Sequence, residues 1–217
     1  MLKTIRLGVG FFIIFVSLNC SYVAAEGEVE TSLAAPISDN LSGAKDIVVI
    51  FQDELLNVMK QGKALSFQDR YKQLEAAIIK SHDLTKIARI VVGKEWKKLS
   101  DVQKISLVDV FSQLSISAYA HNFKEFSDES FQYISEDETA RGGVIVHTLF
   151  VLPNDKDVKF DYMLKKKADS WRIINIIANG VSDLALKRSE YTSVLKREGF
   201  DSLIAKIKEK IDNYAKQ

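Results

Sequence analysis

From about Gly43 onward, apolar residues return every three or four positions with charges between them, the period of a helix with one buried face. Ile47, Ile50, Leu55 and Val58 mark that face, and the pattern stops near Gln61-Gly62-Lys63. Ser66 with Asp69 reads as a second helix start, leading into Tyr71, Leu74 and Ile78. Asp83 can cap a third helix with Leu84, Ile87, Ala88 and Val91 inward, and Gly93 ends it. Ser100 and Gln103 have capping-box spacing. The long helix they open is predicted to turn Val102, Ile105, Val108, Phe111, Leu114, Ala118, Tyr119 and Phe123 inward.

After residue 127 the period shortens to about two. Residues 130–135 and 142–152 are rich in aromatic and β-branched side chains, as strands are. Residues 157–165 alternate cleanly, with Val158, Phe160, Tyr162 and Leu164 on one face and Lys159, Asp161, Met163 and Lys165 on the other. Residues 170–178 are apolar nearly throughout, as for a central strand, and the connections at 153–157 and 165–170 suit hairpins. Helices, then strands, then helices predict an α+β fold with an antiparallel sheet covered on one face. The strand region holds Phe126, Phe131, Tyr133, Phe150, Phe160, Tyr162 and Trp171. These rings fill a core, or, if the sheet curves away from its helices, line a cavity.

Two helices close the chain, split at Gly199, with Asp201 as the cap of the second. On the first, Leu184, Tyr191 and Leu195 share a face, and Arg188 falls in the middle of it. Its stem can pack while the guanidinium reaches water. Otherwise it marks a partly buried site with a polar partner.

Residues 1–25 read as a cleaved secretory signal: two basic residues in MLKTIR, a 12-residue apolar run, and Val23-Ala24-Ala25 before Glu26. A lipoprotein signal using Cys20 and a retained anchor are the rivals. Residues 26–42 lack a sustained period and read as a flexible extension, leaving 43–217 as one domain. Cleavage removes Lys3 and Arg6 from the 30 basic residues, against 29 acidic ones, so the balance stays near neutral and argues against a nucleic-acid partner. It also removes the one cysteine, and with it any disulfide, thiol nucleophile or thiolate metal site.

His82, His121 and His147 show no metal-ligand spacing, and no phosphate-cradling glycine loop or nucleophile elbow occurs. His147, in mid-strand, reads as a hydrogen-bonded core or surface residue. Neither an enzyme activity nor a cofactor nor a metal is expected.

Residues 82–104, with Asp83, Gly93, Trp96, Leu99, Ser100 and Gln103, resemble the MlaC or toluene-tolerance auxiliary family. So do residues 171–210, with Trp171, Gly180-Val181-Ser182, Arg188-Ser189-Glu190, Tyr191, Gly199 and Leu203. Asn175 stands where the family has Asp, and Leu186-Lys187-Arg188 where it has Asn-Tyr-Arg; residues 182–195 look closest to the hopanoid-associated HpnM branch. The resemblance implies a curved sheet of the nuclear-transport-factor-like or cystatin-like kind, closed by helices around a hydrophobic pocket. It implies a monomeric periplasmic phospholipid carrier working between an outer-membrane lipoprotein complex and an inner-membrane ABC transporter with MCE domains. A hopanoid or other lipid carrier and a non-carrier adaptor with a filled core are the alternatives. The pocket candidates are Phe111, Leu114, Tyr119, Phe123, Val158, Phe160, Tyr162, Leu164, Trp171, Leu184 and Tyr191. Arg188 is a candidate for anchoring its helix through a carboxylate or for meeting a lipid phosphate.

Overall fold

Ser66 and Ser100 both close capping boxes, Ser66 with Asp69 and Ser100 with Gln103, and so fix the starts of two helices. The computed structural model describes residues 39–216; the expected signal sequence at 1–25 and most of the expected extension at 26–42 lie outside them. In chain order the elements are α1 (Asp39–Gln61), α2 (Phe67–Ser81), α3 (Leu84–Val92), α4 (Asp101–Asn122), β1 (Ser130–Thr139), β2 (Gly143–Val151), β3 (Val158–Lys167), β4 (Ser170–Ala178), β5 (Val181–Ser182), α5 (Asp183–Glu198) and α6 (Phe200–Lys216). Helix α1 thus begins ahead of Gly43. Asp83 caps α3 by accepting from the Lys86 N–H at 3.2 Å. Asp201 falls in the first turn of α6 rather than before it.

The strands form one antiparallel sheet in the order β1-β2-β3-β4-β5. Bulges interrupt β1 between Tyr133 and Ser135, and the β3–β4 ladder where Met163 pairs with Asn175 but Leu164 with Ile173. A bulge adds a residue, bends its strand and resets which side chains face inward. At β4 it lets both Ile173 and Ile176 stand behind the inner face of β3, opposite Leu164 and Tyr162. That explains the missing alternation in residues 170–178. The short β5 was not expected; it pairs Val181 with Ala178 and turns the chain into α5.

Two cores form. One lies between the sheet and α1, α2 and α4, and contains Val48, Phe51, Leu55, Leu74, Val146, Tyr162 and Ile173. The other lies among α3, α4, α5 and α6, and contains Val91, Leu107, Phe111, Leu114, Tyr191 and Leu203. Helix α4 serves both, which corrects its expected single face. Val102 and Ile105 are 77% and 71% exposed, whereas Leu107, Val110, Ile116 and Ala120 are buried. The phase of α1 is corrected too. Ala44, Val48, Phe51, Leu55 and Val58 form the buried stripe, and Ile50 is exposed.

Candidate functional site

The inner face of the sheet is set by register. Phe160 pairs with Thr148, Tyr162 with Val146 and Leu164 with Val144, and all six are buried. Helix α1 crosses this face and sends Phe51 into it. Phe51 meets Tyr162 of β3, Tyr119 of α4 and His82 edge to face or nearly so, at centroid distances of 6.5, 5.2 and 4.9 Å. From Tyr162 the rings continue through Phe160 at 6.1 Å to Phe150 at 6.3 Å. Phe150 then stacks on Phe131 at 4.5 Å and touches Phe123 at 6.2 Å. The result is a track of aromatic rings from buried His82 out to half-buried Phe123 and Phe131, shortest through Tyr119, which lies 5.9 Å from both His82 and Phe123. Phe126, also half-buried, packs against the same core, with the Lys60 ammonium 5.7 Å from its ring.

The deep half of the track is lined with polar groups. Gln52, one position after Phe51, donates to Thr148 Oγ1 at 3.0 Å and hydrogen-bonds Tyr162. Burial pushes the Tyr162 phenol up, against that hydrogen bond, and pushes the Tyr119 phenol well up, so both stay neutral. His82 is buried, and desolvation pushes its pKa down to about 4.

The structure brings together Tyr119, Phe123, Val158, Phe160, Tyr162, Leu164 and Trp171 around the first core. Trp171 closes its far edge, where a Cβ on Gly43 would lie 3.2 Å from the indole. Phe111, Leu114, Leu184 and Tyr191 belong to the second core, on the other side of α4. Sequence reasoning passed over Phe51, Gln52 and His82 as site residues. The spacing of residues 44, 48, 51, 55 and 58 carried the signal for Phe51.

Arg188 is exposed. Among the described residues no carboxylate lies within ion-pair distance of it, so the expected anchoring pair is absent. The buried residues of α5 are Tyr191 and Val194, which moves the core-facing arc away from Arg188. The side chain crosses Gly93 instead and borders an open groove of about 550 Å³ with Ala185, Ser189, Thr192, Ser193 and Lys196. Asn175 accepts from Ser182 Oγ at 3.0 Å, and Ser182 caps α5. On the outer face of the sheet His147 lies between Asp161 at 2.7 Å and Asp137 at 3.0 Å, a hydrogen-bonded residue as its mid-strand position suggested.

Comparison with known proteins agrees with this arrangement. The profile of a family described as MlaC protein matches residues 51–209. The intermembrane phospholipid transport system binding protein MlaC of Haemophilus influenzae is 24% identical over 123 residues, which are 55% of this chain and 58% of that protein. A phospholipid-binding protein of Ralstonia solanacearum, solved in complex with a phospholipid, superimposes with a TM-score of 0.68 at 19% identity. The superposition covers 82% of this chain and 99% of that one, and at such identity it establishes the shared fold.

Proposed function

The chain belongs to the MlaC family, and on that premise we propose that it is a lipid carrier holding phospholipid acyl chains along the aromatic track under α1 and α4. The observation that carries this reading is the track itself, a line of rings that runs from a buried end to half-buried Phe123 and Phe131. The rings touch one another, so an acyl chain takes its place by displacing the half-buried ones, Tyr119, Phe123 and Phe131. Burying each methylene gains about 0.8 kcal/mol, so a long chain repays that rearrangement. The phospholipid named for the Haemophilus and Ralstonia proteins supports the choice of cargo.

In this reading residues 1–25 direct the protein to the periplasm, where it carries phospholipid between an outer-membrane lipoprotein complex and an inner-membrane MCE-domain ABC transporter. It binds and releases lipid and performs no reaction on it. Arg188 and Lys196, bordering the open groove away from the track, are the cations placed to meet an acidic surface of a partner complex. Organic extraction of the purified protein followed by lipid mass spectrometry tests the central claim. A stoichiometric phospholipid is expected. A protein that carries none, and takes none from phospholipid vesicles, is instead an adaptor with a filled core.

A further inference from the structure

The deep end of the track holds an unmatched polar atom. His82 is 7% exposed, and its Nε2 is buried without a hydrogen-bond partner. Two rings wall the imidazole: Phe51 stands edge-on at 4.9 Å and Tyr119 lies at 5.9 Å, while the next residue, Asp83, ties the backbone to β4 by donating its N–H to Ile173 O at 3.0 Å.

The neighbouring serine decides which nitrogen carries the proton. Ser81 Oγ lies 2.7 Å from Ala77 O and 2.8 Å from His82 Nδ1. A hydroxyl has one hydrogen, and a carbonyl can only accept. Ser81 therefore donates to Ala77 and accepts from the Nδ1–H of His82. Burial keeps the ring neutral at neutral pH. A neutral imidazole protonated at Nδ1 presents a bare lone pair at Nε2. The track thus ends in a hydrogen-bond acceptor, walled by aromatic rings, with nothing to accept from.

We propose that His82 Nε2 is an acceptor subsite for a hydroxyl borne by the lipid at the end remote from its headgroup. The proposal rests on the reading of the track as the lipid site. Acyl methylenes and ester carbonyls have no hydrogen to donate, so an unmodified chain leaves Nε2 unmatched. A hydroxylated chain or another lipid alcohol matches it. The orientation follows from the outer side, where Phe123, Phe126 and Phe131 are half-buried and the Lys60 ammonium lies 5.7 Å from the Phe126 ring. A charged headgroup belongs there, and the far end of the molecule reaches His82.

The test compares palmitic acid with ω-hydroxypalmitic acid on the wild-type protein and on His82→Phe. The wild type is expected to bind the hydroxylated acid at least as tightly as its parent. In His82→Phe the affinity for the hydroxylated acid relative to palmitic acid should fall roughly tenfold, as for a buried hydroxyl that loses its partner. Imidazole nitrogen NMR of the wild type needs no variant. The His82 Nε2 signal should lie at the unprotonated position, move when ω-hydroxypalmitic acid binds, and stay in place with palmitic acid. An equal ratio of the two affinities in both proteins, or an Nε2 signal that ignores the hydroxyl, overturns the subsite and leaves the carrier reading intact. Failure of the wild type to bind either acid or vesicle phospholipid overturns both.

Discussion

The Arg188 guanidinium lies across Gly93, with its nearest nitrogen 3.4 Å from where a Cβ on that glycine would stand. Helix α5 thereby rests on the end of α3, with no ion pair between the two among the described residues. Gly93 has φ +58, a conformation that L side chains rarely adopt. Gly93→Ala should therefore cost about 1–3 kcal/mol of stability through backbone strain. Arg188→Ala should stay within about 0.5 kcal/mol of the wild type, as exposed substitutions do. Parallel urea titrations of the two variants check both values. An Arg188→Ala loss of several kcal/mol would restore the buried carboxylate partner that the sequence suggested.

Phe51 joins α1 to His82, Tyr119 and Tyr162, and it is 1% exposed. Phe51→Ala should destabilise the protein by about 3–5 kcal/mol, the cost of an emptied aromatic site in a core. Exposed Ile50, one position earlier, makes the internal control. Ile50→Ala should be nearly silent in the same thermal melts, and equal losses at the two positions would mean that the phase of α1 is misplaced.

The fold was most legible where the pattern answered to one environment. Strand β3 alternates because one face meets α1 and the other meets solvent. Caps at Ser66, Asp83 and Ser100 were readable because each satisfies a local backbone donor. Helix α4 was misphased because it feeds two cores, so its apolar residues encircle it. Arg188 sits on the same helical stripe as Leu184 and Tyr191, but the stripe's centre is set by how α5 leans on α3 and α6, which no local spacing records. The residues of the track were split for the same reason. Phe111 and Tyr119 are both inward-facing on α4, yet they look into different cores. His82 gave no sequence signal, because its tautomer depends on a serine hydroxyl and its isolation on rings from two distant helices.

Phe160 is 7% exposed and sits midway along the track, between Tyr162 and Phe150. Phe160→Asp places a carboxyl among rings that offer no cation. It should cost several kcal/mol if ionised, or else hold its proton at neutral pH. Phospholipid that co-purifies with the protein should fall sharply in the variant. Full lipid content in a folded Phe160→Asp protein would take this residue out of the site.

His82 and His147 should give the protein opposite responses to acid. Burial depresses His82 from 6.5 to about 4. Above pH 6.5 the ring is neutral in both the folded and unfolded chain, so its contribution is fully present. As pH falls from 6.5 towards 4, the unfolded ring binds a proton that the folded one refuses, and stability drains away by about 3 kcal/mol in all. For His147, burial opposes the charged form, but the hydrogen bonds to Asp161 and Asp137 outweigh it and raise the pKa. Its contribution is fully present below the unfolded value and is lost as pH rises through the folded one. Urea midpoints measured from pH 4 to 8 separate the two. His82→Phe should flatten the acid limb and gain stability relative to wild type below pH 6. His147→Asn should lose stability there and converge with wild type on the alkaline side. If His82→Phe left the acid limb unchanged, His82 would have to be protonating in the folded protein, and the neutral ring at the end of the track would be wrong.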